Sequence, residues 1–385
     1  MLQTKLVESE LKALAIKHRR HFHMFPELSG QEYNTSAYVK ERLAELGIPV
    51  DSRFSSPSIV AYFKGTEGKK TIALRADMDA LPLIEEGEKE YISTIPGVMH
   101  GCGHDGHTAI LLAVAKWLTK YKNLVKNNIV LIFQSSEEAS PSGAKKLVEE
   151  GVLECVDAIY GIHLMSTMPI GKIGFAVGYA MASCNDFDIK IEGKGGHGGH
   201  PNEAVDPIYI ATHIIQSFQS VVSRNLNPLH PGVISFGGMQ AGNSYNVIPS
   251  EVRIQGTIRA LTFEAADLMY KKTAELTESI CSAFGAKGYY EFIEGTPTLY
   301  NHPEACEFAK GVIVNTFGEN AFLQIDPVLG AEDFSYYLKE KMGAFINVGM
   351  QSEKSCYPHH HPKFDIDEDA IPTAIELMIQ LALNA

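Results

Sequence analysis

Up to residue 181 the apolar positions fall into alternating helical and strand-like runs. Residues 1–25 and 32–46 read as helices, and "SIVAYFKG" (58–65) and "TIALRADMDA" (71–80) as strands. Between His107 and Tyr121, apolar residues at 110, 111, 114, 117 and 118 keep helical spacing. "NIVLIFQ" (128–134) is apolar throughout its centre, as a strand buried on both faces should be. A helix over 144–150 and a strand "AIYGIHL" (158–164) follow. This alternation predicts an α/β fold, with a mixed, mostly parallel sheet flanked by helices.

The rhythm changes at residue 182. "CNDFDIKIEGKG" alternates like a half-exposed strand, 206–223 is helical, "GVISFGGMQ" and "SEVRIQGTIRA" are strands, 263–284 is a long helix and "GYYEFIE" a last strand. The order β-α-β-β-α-β is that of a split, ferredoxin-like α+β unit. After Gly295 the first rhythm returns, with helices over 304–316 and 331–340, a strand "GAFINVGM" and a helix from Asp367. The expected organisation is a catalytic domain in two parts, 1–181 and 295–385, with 182–294 inserted between them.

Composition adds exclusions. The 385 residues are 45% hydrophobic and 21% charged, as in an ordinary globular chain, and are long for one core. A formal net charge of −13 argues against a nucleic-acid partner. No apolar run approaches the ~20 residues of a membrane helix, and the charged amphipathic start lacks the pattern of a signal peptide. Six scattered cysteines fit a reducing cytoplasm better than a disulfide scaffold.

The chemistry gathers at strand ends and loops of the α/β part. In "GVMHGCGHDGHTA" (97–109), Cys102 and His104 stand at Cys-x-His spacing beside a helix start, where free N–H groups favour a thiolate. Taken alone, the stretch could equally be a flexible loop with solvated histidines. "FQSSEEAS" places Glu137 and Glu138 just past a buried strand, where α/β sheets collect ligands. Such a pair can divide labour, one binding metal and the other moving protons, or can simply be a solvated helix start. His163 lies in "GIHL", and His359, His360 and His361 in "YPHHHPKFD". "RADMDA" adds Asp77 and Asp79, for which a surface ion pair with Arg75 is the plain alternative. So many metal-ligating types at separate strand ends point to one shared metal site.

"RADMDALP", "MHGCGHDGHTA", "FQSSEE", "GIHL", "GKGGHGGHP", "NVIP", "GTIRA", "GAEDFSYY" and "HHPKFDIDEDA" occur in this order over nearly the whole chain. Together they resemble the two-metal aminoacylase/carboxypeptidase family (peptidase clan M-twenty, subfamily D), which includes N-acyl-amino-acid amidohydrolases, hippurate hydrolases, auxin-conjugate hydrolases and N-acetyldiaminopimelate deacetylases. The resemblance implies that Cys102, His104, Glu138, His163 and His360 bind two divalent ions and that Glu137 is the general base. It implies catalytic or supporting roles for Asp77 and Asp79, and a lid and dimerisation role for the insert, with His197 reaching a partner's active site. Three departures, Ser135-Ser136 for Pro-Ala, Gly198-Gly199 for Ala-Ala and Ala331 for Ser, leave the metal set intact and bear on substrate preference.

The expected activity is metal-dependent hydrolysis of an N-acyl amino acid or a small peptide-like amide, in a cytoplasmic homodimer or higher homo-oligomer formed through 182–294. Zn²⁺ or Mn²⁺ leads among the ions, with Co²⁺ and Ni²⁺ open. Asn246, Arg259 and the loop 330–333, which holds Glu332, are candidates for binding the substrate carboxylate or closing the pocket; a strand-face ion pair is the alternative for Arg259. A dipeptidase or carboxypeptidase of the same chemistry is the second reading. A non-catalytic binding relative is the third, disfavoured by the presence of Glu137.

Overall fold

The computed structural model describes residues 6–385. The chain divides into two compact units, one taking in the chain up to Gly178 with Tyr300–Asp326 and Asp333–Ala385, the other Tyr179–Leu299 with Pro327–Glu332.

The first unit is built on a seven-stranded sheet: β1 (Ile59–Phe63), β2 (Thr71–Asp77), β3 (Asn128–Gln134), β4 (Ala158–Pro169), β5 (Ile173–Phe175), β6 (Phe322–Gln324) and β7 (Gly343–Gln351), in the order β1-β3-β2-β4-β7-β5-β6. The central run β3-β2-β4-β7 is parallel, and antiparallel pairing occurs where β1 meets β3 and β5 meets β7. The mostly parallel α/β sheet read from the sequence is present. Its helices are α1 (Ser9–Met24), α2 (Tyr33–Glu45), α3 (His104–Lys120), α4 (Gly143–Glu149), α5 (Pro303–Phe317), α6 (Ser335–Glu340) and α7 (Ile371–Asn384). α3 is buried along most of its length and packs with α7 in one continuous apolar core.

Several expected boundaries move for identifiable reasons. Residues 1–5 of the expected 1–25 helix lie outside the described residues, and α1 starts only at Ser9. The strand holding His163 runs on to Pro169, because β7 pairs alongside it as far as that residue. The expected 331–340 helix shortens to Ser335–Glu340, because Asp333 turns inward to meet Arg75. The short strands β5 and β6 carried too few residues to show a period.

In the second unit four antiparallel strands, Ser183–Glu192, Gly232–Ala241, Glu251–Ala260 and Lys287–Thr296, form a sheet with the Glu251–Ala260 and Ser183–Glu192 strands at its centre. Two helices, Pro207–Ser220 and Phe263–Ala283, share an apolar core with it. The first is capped by Asp206, whose side chain accepts from Ile208 N and Tyr209 N, with proline in the first turn.

The first unit's sheet encloses an ion cluster. Arg75 on β2 is fully buried and donates to Asp77 at 2.5 Å, Asp333 at 2.8 Å and Gln134 Oε1 at 2.8 Å. A surface ion pair, the plain reading of these residues, is therefore corrected. Asp333 also accepts from Ser142 Oγ at 2.6 Å, and Ser142 caps α4. Asp333 is thus committed to internal bonds and is not available to hold a substrate carboxylate. Truncating one partner of a buried ion pair typically costs about 3–5 kcal/mol, because the other charge is stranded. Arg75→Met is expected to lower unfolding free energy by about that amount. A urea midpoint unchanged from the parent would contradict this.

Candidate metal centre

Gly103 precedes α3 with φ +94, a left-handed conformation that suits glycine, and lets the chain enter the helix immediately. His104, Asp105 and His107 therefore sit in the first turn and are buried, which corrects the flexible-loop reading. His104 and His107 are three residues apart and share a helix face, with ring centroids 5.5 Å apart.

β2 and β3 are in register to their ends, with Asp77 opposite Gln134. The segments leaving them consequently run side by side. Asp79 Oδ2 accepts from Glu137 N and Glu138 N, both at 2.9 Å, and from Ser29 Oγ at 2.7 Å. Glu137 and Glu138 thus lie in a turn before α4, not at a solvated helix start. The turn packs tightly on α4, since a Cβ at Gly143 would come 1.7 Å from Ser135 O.

His104 Nδ1 lies 2.9 Å from the Asp79 carbonyl oxygen and 3.2 Å from Asp79 Oδ1. Both are acceptors, so Nδ1 carries a proton, and in the neutral ring Nε2 has the lone pair; against the opposing effect of burial, Asp77 and the hydrogen bond to Asp79 raise this imidazole well above its ordinary range. That Nε2 is buried and has no hydrogen-bond partner. His163 is fixed in the same way, Nδ1 donating to Leu164 O at 3.0 Å, with its Nε2 3.5 Å from Cys102 Sγ.

Metal-ligating atoms cluster around these two rings in overlapping sets. Those of Cys102, His104 and His163 lie within 4.8 Å of one another, and so do those of Cys102, Glu138 and His360. Those of His104, Glu137 and Glu138 form a third such set. His360 Nε2 is 3.1 Å from Glu138 Oε1, and His360 N donates to Gly101 O at 2.8 Å, tying the C-terminal loop to the Cys102 loop. His360 takes φ +64 to do so.

The electrostatics suit a cation. Desolvation and the adjacent Glu138 carboxylate push the Cys102 thiol well up, and the Glu138 hydrogen bond raises the His360 imidazole. Burial opposes ionisation of Asp77, yet His104, His107 and Arg75 together hold it well below the usual carboxylate range. A sulfur, imidazole nitrogens and carboxylate oxygens, with an orphaned Nε2 among them, fit a borderline-soft divalent ion.

Sequence reasoning missed three supports. His107 Nδ1 meets Asp77 Oδ1 at 2.6 Å, and its Nε2 accepts from Leu164 N at 2.9 Å. His359 Nε2 donates to Leu164 O at 2.9 Å. Glu32 accepts from Ser136 N at 2.7 Å. His107 and His359 sit inside quoted motifs, so neighbouring metal-ligating types were a usable signal; Glu32 offered none.

The remaining candidates are on the second unit. His197 lies in a two-residue strand paired with Val247–Ile248, and Gly198 N donates to Asn246 O at 2.8 Å. His197 is exposed and its Nδ1 accepts from Gly199 N at 2.9 Å, which leaves the proton on Nε2. Arg259 donates to Leu329 O at 3.2 Å, and Glu332 ends the segment that follows Leu329.

The sequence profile described as "Peptidase family M20/M25/M40" matches residues 73–384. The chain is 39% identical to "Thermostable carboxypeptidase 1" of Saccharolobus solfataricus, over 94% of this chain and 93% of that protein. It is 37% identical to "N-acetyl-L-cysteine deacetylase" of Bacillus subtilis, over 97% of this chain and 88% of that protein. Among solved structures, a dinuclear metal-binding peptidase of the M20 family from Bacillus subtilis superposes with a TM-score of 0.85 at 32% identity, covering 98% of each chain.

Asp79 joins the His104 helix to the glutamate turn, so its charge should matter to metal binding. Losing such an outer support typically costs about 10–100-fold in metal affinity. Asp79→Asn is expected to weaken Zn²⁺ binding by about that factor, measured by competition with a chromophoric chelator. Parental affinity would remove Asp79 from this role.

Proposed function

The chain belongs to the M20/M25/M40 peptidase family and is a metal-dependent amidohydrolase, and on that basis we propose that it cleaves the amide bond of N-acyl amino acids. The observation that carries the reading is His104 Nε2, buried and without a hydrogen bond among clustered thiol, imidazole and carboxylate groups. Cys102, His104, Glu138, His163 and His360 would hold two divalent ions, Zn²⁺ or Mn²⁺ foremost. Bound there, the ions would supply Lewis-acid polarisation of the amide carbonyl and of the attacking water.

Glu137 takes the proton of that water and returns it to the leaving amine. Its backbone is fixed by Asp79, and its Oε2 lies 4.0 Å from His104 Nε2. Asp77 acts one step back, fixing the His107 tautomer and closing the site's charge balance. The second unit, a ferredoxin-like insert, acts as a lid and dimerisation module that brings His197, Asn246, Arg259 and Glu332 to the substrate. A cytoplasmic location is in keeping with the free state of all six cysteines. A carboxypeptidase reading of the same chemistry is favoured by the Saccharolobus relative's name.

The paired glutamates separate the roles. Glu137→Gln should keep both metals and lose nearly all turnover, whereas Glu138→Gln should lose metal. The assay is hydrolysis of N-acetyl, N-benzoyl and indole-acetyl amino acids and of dipeptides, alongside elemental analysis. Equal behaviour of the two variants would sink the division of labour. Turnover of dipeptides alone would select the peptidase reading.

His197, with its outward Nε2–H, is suited to donate to the oxyanion of the tetrahedral intermediate. Loss of one such donor costs about 10²–10³ in rate, so His197→Ala should fall by about that factor with its metal retained. In mixed dimers with Glu137→Gln, verified subunit exchange should restore part of the activity. Parental activity of His197→Ala would end its catalytic role, and a mixed dimer without recovery would end its action across subunits.

A further inference from the structure

The Glu137–Glu138 turn begins with a backbone anomaly. Ser136 adopts φ +54, a left-handed conformation that a side-chain-bearing residue rarely takes without support. Its hydroxyl donates within the turn, to Ala139 O at 3.1 Å and Pro141 O at 3.0 Å. Its N–H, however, leaves the turn and meets Glu32 Oε1 at 2.7 Å. The next two N–H groups, of Glu137 and Glu138, meet Asp79 Oδ2 at 2.9 Å each. Three consecutive amides are thereby held by two buried carboxylates.

Glu32 is fully buried, and its Oε2 has no partner. Burial, and then the charge of Asp79, push its carboxyl up to about 7. A buried carboxyl with one oxygen unpartnered is a costly way to satisfy a single amide. Its geometric effect is specific: it engages the one amide that the left-handed bend at Ser136 turns away from Asp79.

We infer that Glu32 is a positioning residue of the hydrolytic reaction, which sets the aim of Glu137 by anchoring the Ser136 amide. The inference rests on the reading of Glu137 as the base. It assigns Glu32 no contact with substrate or metal. Glu138, which has His360 as a second anchor, is less dependent on it.

The test compares Glu32→Met with Glu32→Gln, both in metal-loaded enzyme. Methionine matches the length of glutamate but cannot accept the Ser136 amide, whereas glutamine keeps an oxygen acceptor. Small misplacements of a reacting group cost up to about 10²-fold. Glu32→Met should lose about 10- to 100-fold in kcat, with KM and metal stoichiometry near the parent's, at a temperature where the variant is fully folded. Glu32→Gln should recover most of that loss. A purely structural residue would lower the thermal midpoint and leave kcat of the folded variant parental. Folded Glu32→Met with parental kcat, or Glu32→Gln as impaired as Glu32→Met, overturns the inference. If Glu32→Met does not fold, Glu32→Gln decides alone: near-parental kcat upholds it and a tenfold loss overturns it. Activity retained by Glu137→Gln would instead overturn the reading of the base, whatever Glu32 does.

Discussion

A single buried carboxylate, that of Asp79, holds three separate stretches of the chain at one point. It accepts from Ser29 in the loop before α2, from two amides of the glutamate turn and, at longer range, from His104 at the head of α3. A buried carboxylate is costly unless its lone pairs are used. Here they are used by the head of α3 and the glutamate turn, both of which border the candidate donor cluster. The hydrogen bonds to Asp79 and burial act in opposite directions on its ionisation. The bonds prevail, and its pKa lies below the ordinary carboxylate value.

The same solution recurs one layer deeper. Leu164 is a backbone node as Asp79 is a side-chain node: its N–H is held by His107, and its carbonyl accepts from His163 and His359. Behind it Asp77 fixes His107, Arg75 fixes Asp77, and Asp333 completes the set. On the other side of the α3 turn, Asp105 meets Arg19 and His23, and His23 meets Glu85. His104 and His163 are each held by an acceptor at Nδ1, which in the neutral ring fixes one tautomer. That ordering is what leaves lone pairs pointing at a common space.

The apolar periodicity made the sheet legible because four of its strands are central and parallel. "NIVLIFQ" coincides with β3 to the residue, and β2, β4 and β7 all begin where the reading put them. The ends were less legible. His163 read as terminal because its strand turns polar beyond Leu164, although pairing with β7 carries on. The clustering of Cys102, His104, Glu137, Glu138, His163 and His360 could be read from residue type and strand-end position. The supporting residues could not. Glu32, in an otherwise ordinary helix-start segment, matters only through a long-range contact with Ser136, and no local pattern encodes that pairing.

What remains is why so much negative potential is concentrated where several groups resist carrying it. Cys102 is held toward its neutral thiol by desolvation and Glu138, and Glu32 is raised by burial and Asp79. Such mutual opposition destabilises a chain unless something positive is bound, and the positive groups nearby are already committed to Asp77, Asp105 and Asp333. Binding a divalent cation reverses the local logic, since it favours the thiolate and the carboxylates together. Arg19 and Arg75 are thus paired with the supporting carboxylates, and the converging thiol, imidazoles and glutamates form a donor set suited to a divalent cation. Through Asp79 and Asp77 the donor cluster, the glutamate turn and the packing of the parallel sheet form one dependent set.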